Sequence, residues 1–305
     1  MNSSLATFGD AAMTTGSTLP RRLLARELRR AREAASVSAE AARSAIGVSK
    51  QTFWRMENGI PIRLNPLFIK RLCEIYDAST ELTQVLLTLT EETKSKGWWH
   101  AFDSAIPKSF GLFVSLEDAA HHVVSYQTAL IPGLLQTAEY RRALIWTAYP
   151  TMSPEEAETA VQIGTQRQAR LTGIKPITLD AFIDESALRR RTGGADVMVG
   201  QLHQLAEVTQ LANVSVRVVP ATAGFYQGLL VGMFVILEFP PHSTAYLTEP
   251  PVVYVQGFTG DMYLERSEEI IAYRNACTEI KRLALGDRES QALILDIAKE
   301  YTNEC

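Results

Sequence analysis

Cysteine is scarce in this chain of 305 residues. The three cysteines, Cys73, Cys277 and Cys305, are odd in number and widely separated, so the sequence contains neither a disulfide framework nor a metal-ligand spacing among them. Such usage is typical of a reducing compartment. We therefore expect a cytoplasmic protein.

Long apolar runs and a basic leader are also missing. No stretch approaches the roughly 20 apolar residues that a membrane-spanning helix needs. The longest candidate, Leu229 to Leu237, is interrupted by Gly232 and is typical of a strand. Residues 1–19 contain no Lys or Arg and no apolar segment, which is not the pattern of a secretory signal. We expect a soluble protein in which residues 1–19 form a flexible leader.

Catalytic fingerprints are absent as well. The sequence contains no nucleophile elbow, phosphate-binding loop, glycine-rich dinucleotide motif or HExxH zinc motif. Asp184 and Glu185, with His203 nearby in sequence, are candidates for acid-base chemistry. However, adjacent residues that leave a strand point in different directions, and a helix start at Glu185 and Ser186 is the simpler interpretation. We therefore predict that the protein is not an enzyme and needs no cofactor or metal.

Charge is distributed unevenly along the chain. The composition, 46% apolar and 21% charged, is that of a globular protein long enough for two domains. The net charge is −4, yet residues 20–77 contain twelve Lys or Arg and six Asp or Glu, which gives +6, and the chain from residue 78 onward carries −9. Because salt screens charges beyond about 8 Å, a basic N-terminal module can attract phosphate despite an acidic body.

The most informative stretch is GVSKQTFWRMENG, from Gly47 to Gly59. Gly47 permits a sharp turn, Ser49 can cap a new helix and an Asn-Gly pair can end it, which is the pattern of the second helix of a helix-turn-helix. Phe53 and Met56 are expected to face inward. The side chains on the opposite, exposed face suit contacts with bases and phosphates in a major groove. These candidate DNA-binding residues are Ser49, Lys50, Gln51, Thr52, Trp54 and Arg55. The Trp54 ring could equally pack on Arg63 or on another domain.

Helical periodicity dominates the first part of the chain. Apolar residues recur every three or four positions, which predicts helices over residues 20–34, 38–46, 49–57, 65–76 and 80–93. The polar stretch EETKSKG, residues 91–97, ends in glycine and marks a domain boundary. We assign residues 20–95 to an all-α DNA-binding bundle.

The remainder, residues 97–305, mixes helical and strand patterns. Helices are predicted over residues 116–129, 137–146, 153–171, 197–211, 266–283 and 287–301, and strands over 176–183, 215–219, 230–239, 244–247 and 252–256. The predicted protein is therefore multidomain, with an N-terminal all-α helix-turn-helix bundle and a C-terminal α+β domain.

Residues 20–77 resemble the Cro and phage-repressor type of helix-turn-helix domain, which is lambda-repressor-like and often called XRE-like. The resemblance implies that Arg32 of the first helix pairs with Glu57 at the end of the reading helix, and a carboxylate at such a junction needs a partner. Two positions depart from the pattern. Ala39 replaces a glutamine that often touches DNA, and Arg43 stands where a small alanine is usual. Either the packing adapts to Arg43 or this side chain points outward to phosphate.

Residues 97–265 resemble the C-terminal effector domain of actinobacterial regulators of the WhiJ type. The likeness is carried by GWW (97–99), LEDAA (116–120), IPGLLQTAEYRRAL (131–144), RQARL (167–171), DESALRR (184–190), NVSVRVVP (213–220), GLLVGMFVILEF (228–239) and VVYVQGFTGDMYLE (252–265). IPGLLQT is the most specific of these segments, whereas Gln256 departs from a common glutamate. The likeness implies a transcriptional regulator that is often encoded beside a small acidic partner protein and is sometimes described as antitoxin-like.

Two features of the second domain allow either a functional or a structural interpretation. On the predicted helix, His121 and His122 lie near Glu117 and Asp118 and could contribute to a metal site, but the ligand shell is incomplete and hydrogen bonding within the fold is favoured. Aromatic residues between 214 and 263 could line a ligand pocket, although core packing is favoured. The pocket candidates are Phe225, Tyr226, Phe234 and Tyr254.

These features together predict a transcriptional regulator that binds double-stranded DNA and carries a sensing or partner-binding domain. Because one small helix-turn-helix contacts only a half-site, we expect a homodimer in which the acidic domain supplies much of the pairing surface. The alternative is an antitoxin-like interaction protein that holds a small acidic partner protein and regulates its own synthesis.

Overall fold

The structure is a computed structural model that describes residues 18–94, 98, 108–242, 244–258 and 260–303. The chain divides into two compact units, residues 1–100 and 101–305. Most of the expected leader and part of the expected boundary, residues 1–17 and 95–97, lie outside the described residues. None of the described helices is both long and apolar enough to cross a bilayer.

The first unit is helical, as predicted. Its helices are α1 (Thr18–Ala34), α2 (Ala39–Ala45), α3 (Lys50–Glu57), α4 (Pro66–Ile75) and α5 (Thr80–Glu92). A polar side chain precedes each of the last four and accepts an amide hydrogen bond from the first turn, which defines where the helix begins. These caps are Ser38, Ser49, Asn65 and Ser79.

The apolar faces of these helices meet in one core. Leu24 and Leu28, one turn apart on α1, pack there with Phe53 of α3, Ile69 of α4 and Leu86 of α5. Burial of the apolar face of α3 leaves its polar face outside the core. The core therefore determines which side chains of α3 are available for binding.

The second unit has an α+β fold. Its strands are β1 (His122–Gln127), β2 (Thr178–Asp184), β3 (Val214–Val219), β4 (Phe234–Glu238), β5 (Val252–Val255) and β6 (Met262–Leu264). Its α-helices are α6 (Lys108–Ala119), α7 (Ala138–Ala148), α8 (Pro154–Gln168), α9 (Glu185–Arg189), α10 (Ala195–Val208), α11 (Gln227–Val231), α12 (Ser267–Leu283) and α13 (Asp287–Thr302).

The six strands form one mixed sheet in the order β3-β2-β1-β4-β5-β6. β1, β2 and β3 are parallel, whereas β4 is antiparallel to β1, and β5 and β6 continue in antiparallel pairing. Parallel neighbours require crossover connections. Helices α7 and α8 provide the crossover between β1 and β2, and α9 and α10 provide the one between β2 and β3.

Alternate residues of β1 face opposite sides of this sheet. Val124 and Tyr126 belong to a buried cluster that includes Ile270 and Ile280 of α12. Ser125, between them in sequence, borders a cavity instead. The sheet thus has one face packed into a core and one face that borders a cavity.

Three of the predicted elements need correction. The helix predicted over 116–129 ends at Ala119, and residues 122–127 form β1. This strand, HVVSYQ, lies in the middle of the sheet and is buried on both faces, so its sequence does not alternate strictly between apolar and polar residues. The strand predicted over 244–247 is a 3-10 turn. The strand predicted from residue 230 begins only at Phe234, because α11 precedes it and Gly232, with φ of 73°, ends that helix.

Candidate nucleic-acid interface

The connection between α2 and α3 has helix-turn-helix geometry. Ser38 Oγ accepts a hydrogen bond from the Ala41 amide at 3.1 Å, and Ser49 Oγ accepts one from the Thr52 amide at the same distance. Between the two helices Gly47 has φ of +67°, a conformation that strains other residues. The sequence thus fixes both the turn and the start of α3 locally.

α3 presents a polar face to solvent. Lys50 and Gln51 are exposed, Thr52 and Arg55 are half-buried, and 55% of Trp54 is exposed. Buried Phe53 and Met56 hold the opposite face in the core. Lysine and arginine side chains suit guanine edges and glutamine suits adenine, so this face carries the groups that major-groove readout requires. No ring contact joins Trp54 to Arg63 among the described residues, so the Trp54 ring remains available at the surface.

An ion pair fixes the C-terminal end of α3 to α1. Arg32 Nε lies 2.7 Å from Glu57 Oε1, and Arg32 Nη2 donates to Glu57 Oε2 at 3.0 Å. Arg32 Nη1 also donates to the Val37 carbonyl oxygen at 3.1 Å. Only 14% of the Arg32 side chain and 8% of the Glu57 side chain are exposed. The hydrogen bonds to Glu57 raise the pKa of Arg32, and this paired geometry agrees with the one implied by the family resemblance.

A second arginine of α1, Arg29, supports the same helix end. Its Nη2 donates to the Glu57 carbonyl oxygen and to Asn58 Oδ1, the latter at 2.8 Å. Asn58 Nδ2 in turn donates to the Trp54 carbonyl oxygen at 2.7 Å. A cation here complements the negative end of the helix dipole. Sequence reasoning missed Arg29, although its position three residues before Arg32 placed both on one helix face.

Arg43 lies at the surface of α2 and is engaged locally. Its Nε donates to Glu40 Oε2 at 2.8 Å, and its Nη2 bonds the other carboxylate oxygen. The fully buried small residue of α2 is the neighbouring Ala42. The core therefore accommodates Arg43 by leaving it outside. A phosphate contact by Arg43 would have to compete with an exposed ion pair, which is a weak interaction.

In the second unit, His122 lies on β1 rather than on a helix. Its Nε2 is 3.0 Å from Asp180 Oδ2 and its Nδ1 is 3.0 Å from Glu238 Oε2. The hydrogen bond to Asp180 raises the pKa of His122 and lowers that of Asp180. Glu117 is occupied by Arg167. The helical His-Glu arrangement considered for a metal is therefore wrong, and the described residues contain no group of three or more His, Cys, Asp or Glu that could hold one.

The Asp184 and Glu185 carboxylates both serve the fold. Asp184 caps α9 through Ser186 and accepts a hydrogen bond from the Tyr226 hydroxyl at 2.7 Å. Glu185 bonds Arg189 at 2.6 Å and accepts the Ala221 amide at 2.8 Å. His203 is exposed on α10, and no described contact joins it to either carboxylate. The three residues considered for acid-base chemistry are thus not brought together.

The four aromatic pocket candidates do not share one cavity. Phe225 is exposed, whereas Tyr226 and Phe234 are buried in the core beside α12. Tyr254 lines a cavity on the other face of the sheet. The grouping of these four residues in one pocket is therefore wrong. Phe234 and Tyr254 face opposite sides of the sheet, because Tyr254 pairs with Val235, the residue after Phe234.

The fold and the exposed face of α3 define a helix-turn-helix protein, the class that inserts a short helix into the major groove. In agreement, residues 23–86 match a helix-turn-helix domain family, which indicates DNA binding. Residues 110–296 match a domain of unknown function, DUF5753, over more than half of the chain. The chain belongs to the DUF5753 family. Searches of curated proteins and of solved structures found no match.

Proposed function

We propose that this protein is a sequence-specific transcriptional regulator of the XRE type with a WhiJ-like C-terminal sensing domain, and that it acts in the cytoplasm. The observation that carries the proposal is the polar face of α3, which is capped by Ser49 and anchored by Phe53, Met56 and the Arg32–Glu57 pair. A rigid helix with hydrogen-bonding side chains on its exposed face can discriminate base edges. The net charge of +6 over residues 20–77 supplies attraction to phosphates.

We further propose that the protein acts as a homodimer, because a single reading helix covers only one half-site. The second unit, which is acidic, has exposed apolar side chains on and near α11 that could form the dimer interface. Leu229 is 42% exposed, Leu230 is 74% exposed and Phe225 is 76% exposed. Burial of such side chains between two copies would stabilise association.

The antitoxin-like alternative is less well supported. From residue 78 onward the chain carries −9, so an acidic partner protein would meet a surface of like net charge. An enzymatic role is also not proposed, since Asp184 and Glu185 are occupied by α9, Arg189 and Tyr226.

Selection of binding sites from random DNA duplexes tests the proposal. We expect full-length protein to enrich one consensus, and the triple variant Lys50→Ala, Gln51→Ala, Arg55→Ala to enrich none. The matched control is Lys281→Ala, Gln210→Ala, Arg282→Ala, which removes the same side-chain types from exposed positions of the second unit. Transcription from a reporter that carries the consensus then tests regulation. Failure of the wild-type protein to enrich any sequence would contradict the proposal, as would equal consensus sequences from wild type and the α3 variant.

A further inference from the structure

A cavity of about 260 Å³ lies on the face of the sheet opposite α12. Its floor includes Ser125 of β1 and Tyr254 of β5, and α6 and the segment 131–136 enclose it. Phe113 packs against Tyr254 with ring centroids 4.3 Å apart, and Phe110 follows at 5.6 Å from Phe113. One wall of the cavity is therefore aromatic, a common property of small-molecule sites.

Among the residues that the structure describes, three charged side chains line this cavity, namely Glu117, Arg141 and Arg167. Glu117 and Arg167 neutralise each other through two hydrogen bonds of 2.7 and 2.8 Å, and both side chains are almost fully buried. Arg141 is different. Its Nη2 bonds the Gly133 carbonyl oxygen, and no carboxylate pairs with it among the described residues. The described part of the lining thus carries a net charge of +1.

The position of Arg141 is built into the fold at some energetic cost. A Cβ atom at Gly164 would lie 2.0 Å from Arg141 Nε, so the side chain reaches the cavity only because α8 has a glycine there. Burial and the like charge of Arg167 lower the pKa of Arg141 to about 10. A partly buried cation without an anion is unfavourable, and a bound anion would relieve that cost.

The segment that encloses the cavity is also fixed in place. Gln201, fully buried on α10, donates to the Leu135 carbonyl oxygen and accepts the Thr137 amide, both at 2.8 Å. The buried Tyr140 hydroxyl accepts the Ile131 amide at 3.3 Å, and Gln136 donates to the Ile131 carbonyl oxygen at 2.7 Å. A preformed wall of this kind lowers the ordering cost of binding. The specific sequence IPGLLQT, residues 131–137, therefore forms a fixed wall of the cavity.

We propose that this cavity binds a small organic carboxylate, with the carboxylate on Arg141 and an apolar or aromatic body against Phe110, Phe113 and Tyr254. A planar guanidinium matches a carboxylate in two parallel hydrogen bonds, and a single negative charge balances the net charge of the lining. The proposal deepens the sensing role proposed above. Its assay contains no DNA, so its failure and the failure of DNA binding are distinguishable.

Isothermal titration calorimetry of the full-length protein with phenylacetate tests whether the cavity binds a carboxylate. Phenylacetamide serves as the neutral isostere of phenylacetate. For a ligand of about ten non-hydrogen atoms we expect affinity of about millimolar or somewhat tighter. Arg141→Gln should weaken phenylacetate binding by about tenfold or more, since a charge-assisted hydrogen bond is lost. Arg142→Gln is the matched control, because Arg142 pairs with Glu158 at the surface of the same helix at 3.0 Å.

A second variant tests the cavity without touching its charge. Ser125→Leu places a larger apolar side chain into the space, so it should abolish phenylacetate binding and raise the melting temperature. The proposal is supported if phenylacetate binds saturably to wild type and Arg142→Gln, binds about tenfold or more weakly to Arg141→Gln, and does not bind to Ser125→Leu. Equal binding to wild type and Arg141→Gln would overturn it. The carboxylate assignment would be overturned if phenylacetamide bound as tightly as phenylacetate or if phenyl phosphate bound more tightly than phenylacetate. It would also be overturned if phenylacetate showed no saturable binding at about 10 mM.

Discussion

The Arg32–Glu57 pair offers the sharpest test of how the reading helix is held. Both side chains are largely buried, at 14% and 8% exposure, and they share two hydrogen bonds. Glu57→Met leaves a mostly buried guanidinium without its carboxylate, which is expected to cost about 3 kcal/mol. For a domain of fewer than about 100 residues, this loss lowers the melting temperature of the first unit by more than about 10 °C.

A double-mutant cycle separates the ion pair from the packing of its methylene groups. The variants are Arg32→Met, Glu57→Met and the combination, and the double variant should be more stable than the sum of the single losses predicts. We expect a coupling energy of about 2 to 3 kcal/mol. Arg71 and Glu74 provide the control, because both are more than half exposed while their side chains lie 2.9 Å apart. Their coupling should not exceed about 0.5 kcal/mol.

Hydrogen exchange of the α3 amides in full-length protein is the appropriate assay, because it reports the opening of this helix separately from the second unit. Amides of α10 serve as the internal reference and should not change. If the Arg32–Glu57 coupling equals that of the surface control, the pair does not anchor α3 and the reasoning is refuted.

Three other outcomes follow from the structure. Ser49→Ala should lower the free energy of opening of α3, measured by hydrogen exchange, by about 1 kcal/mol, whereas Ser49→Asp should retain the cap and weaken DNA binding because it adds a negative charge. Equal DNA affinity for both variants would contradict a position of Ser49 beside the DNA. His122 has a raised pKa, so its contribution to stability is present below about pH 6.5 and is lost as the pH rises through the raised pKa. In chemical unfolding, the difference in stability between wild type and His122→Gln should therefore shrink between about pH 6 and pH 9, and a constant difference would exclude a link between His122 protonation and stability. Light scattering should find a dimer for the full chain and for the fragment from about residue 97, while residues 20–95 should be monomeric and bind DNA with a shallower salt dependence than the full chain. A full chain that is monomeric both free and on a palindromic site would contradict the proposed dimer.

The reading helix was predictable because its signals are local. Gly47, Ser49 and the apolar pair Phe53 and Met56 lie within ten residues of one another, and each acts through its own turn, cap or helix face. The Arg32–Glu57 pair came from a family resemblance, since nothing in the spacing of two residues 25 positions apart specifies a contact.

The second unit was less predictable because its decisive contacts are tertiary. β1 was mistaken for helix since a strand buried on both faces lacks alternation. The cavity depends on Arg141 crossing Gly164, and on Glu117 meeting Arg167 from 50 residues away. IPGLLQT was recognised as the most specific segment, but only the fold shows that it encloses a cavity.

The most direct test of the account is a base-substitution scan of the selected DNA site by fluorescence anisotropy, with wild type, Gln51→Ala and the exposed control Gln84→Ala of α5. If α3 reads sequence, Gln51→Ala should lose about 1 to 3 kcal/mol of discrimination at one or two positions and keep its affinity for unrelated DNA. Gln84→Ala should behave as wild type. Identical discrimination by wild type and Gln51→Ala at every position would contradict direct readout by Gln51 on α3.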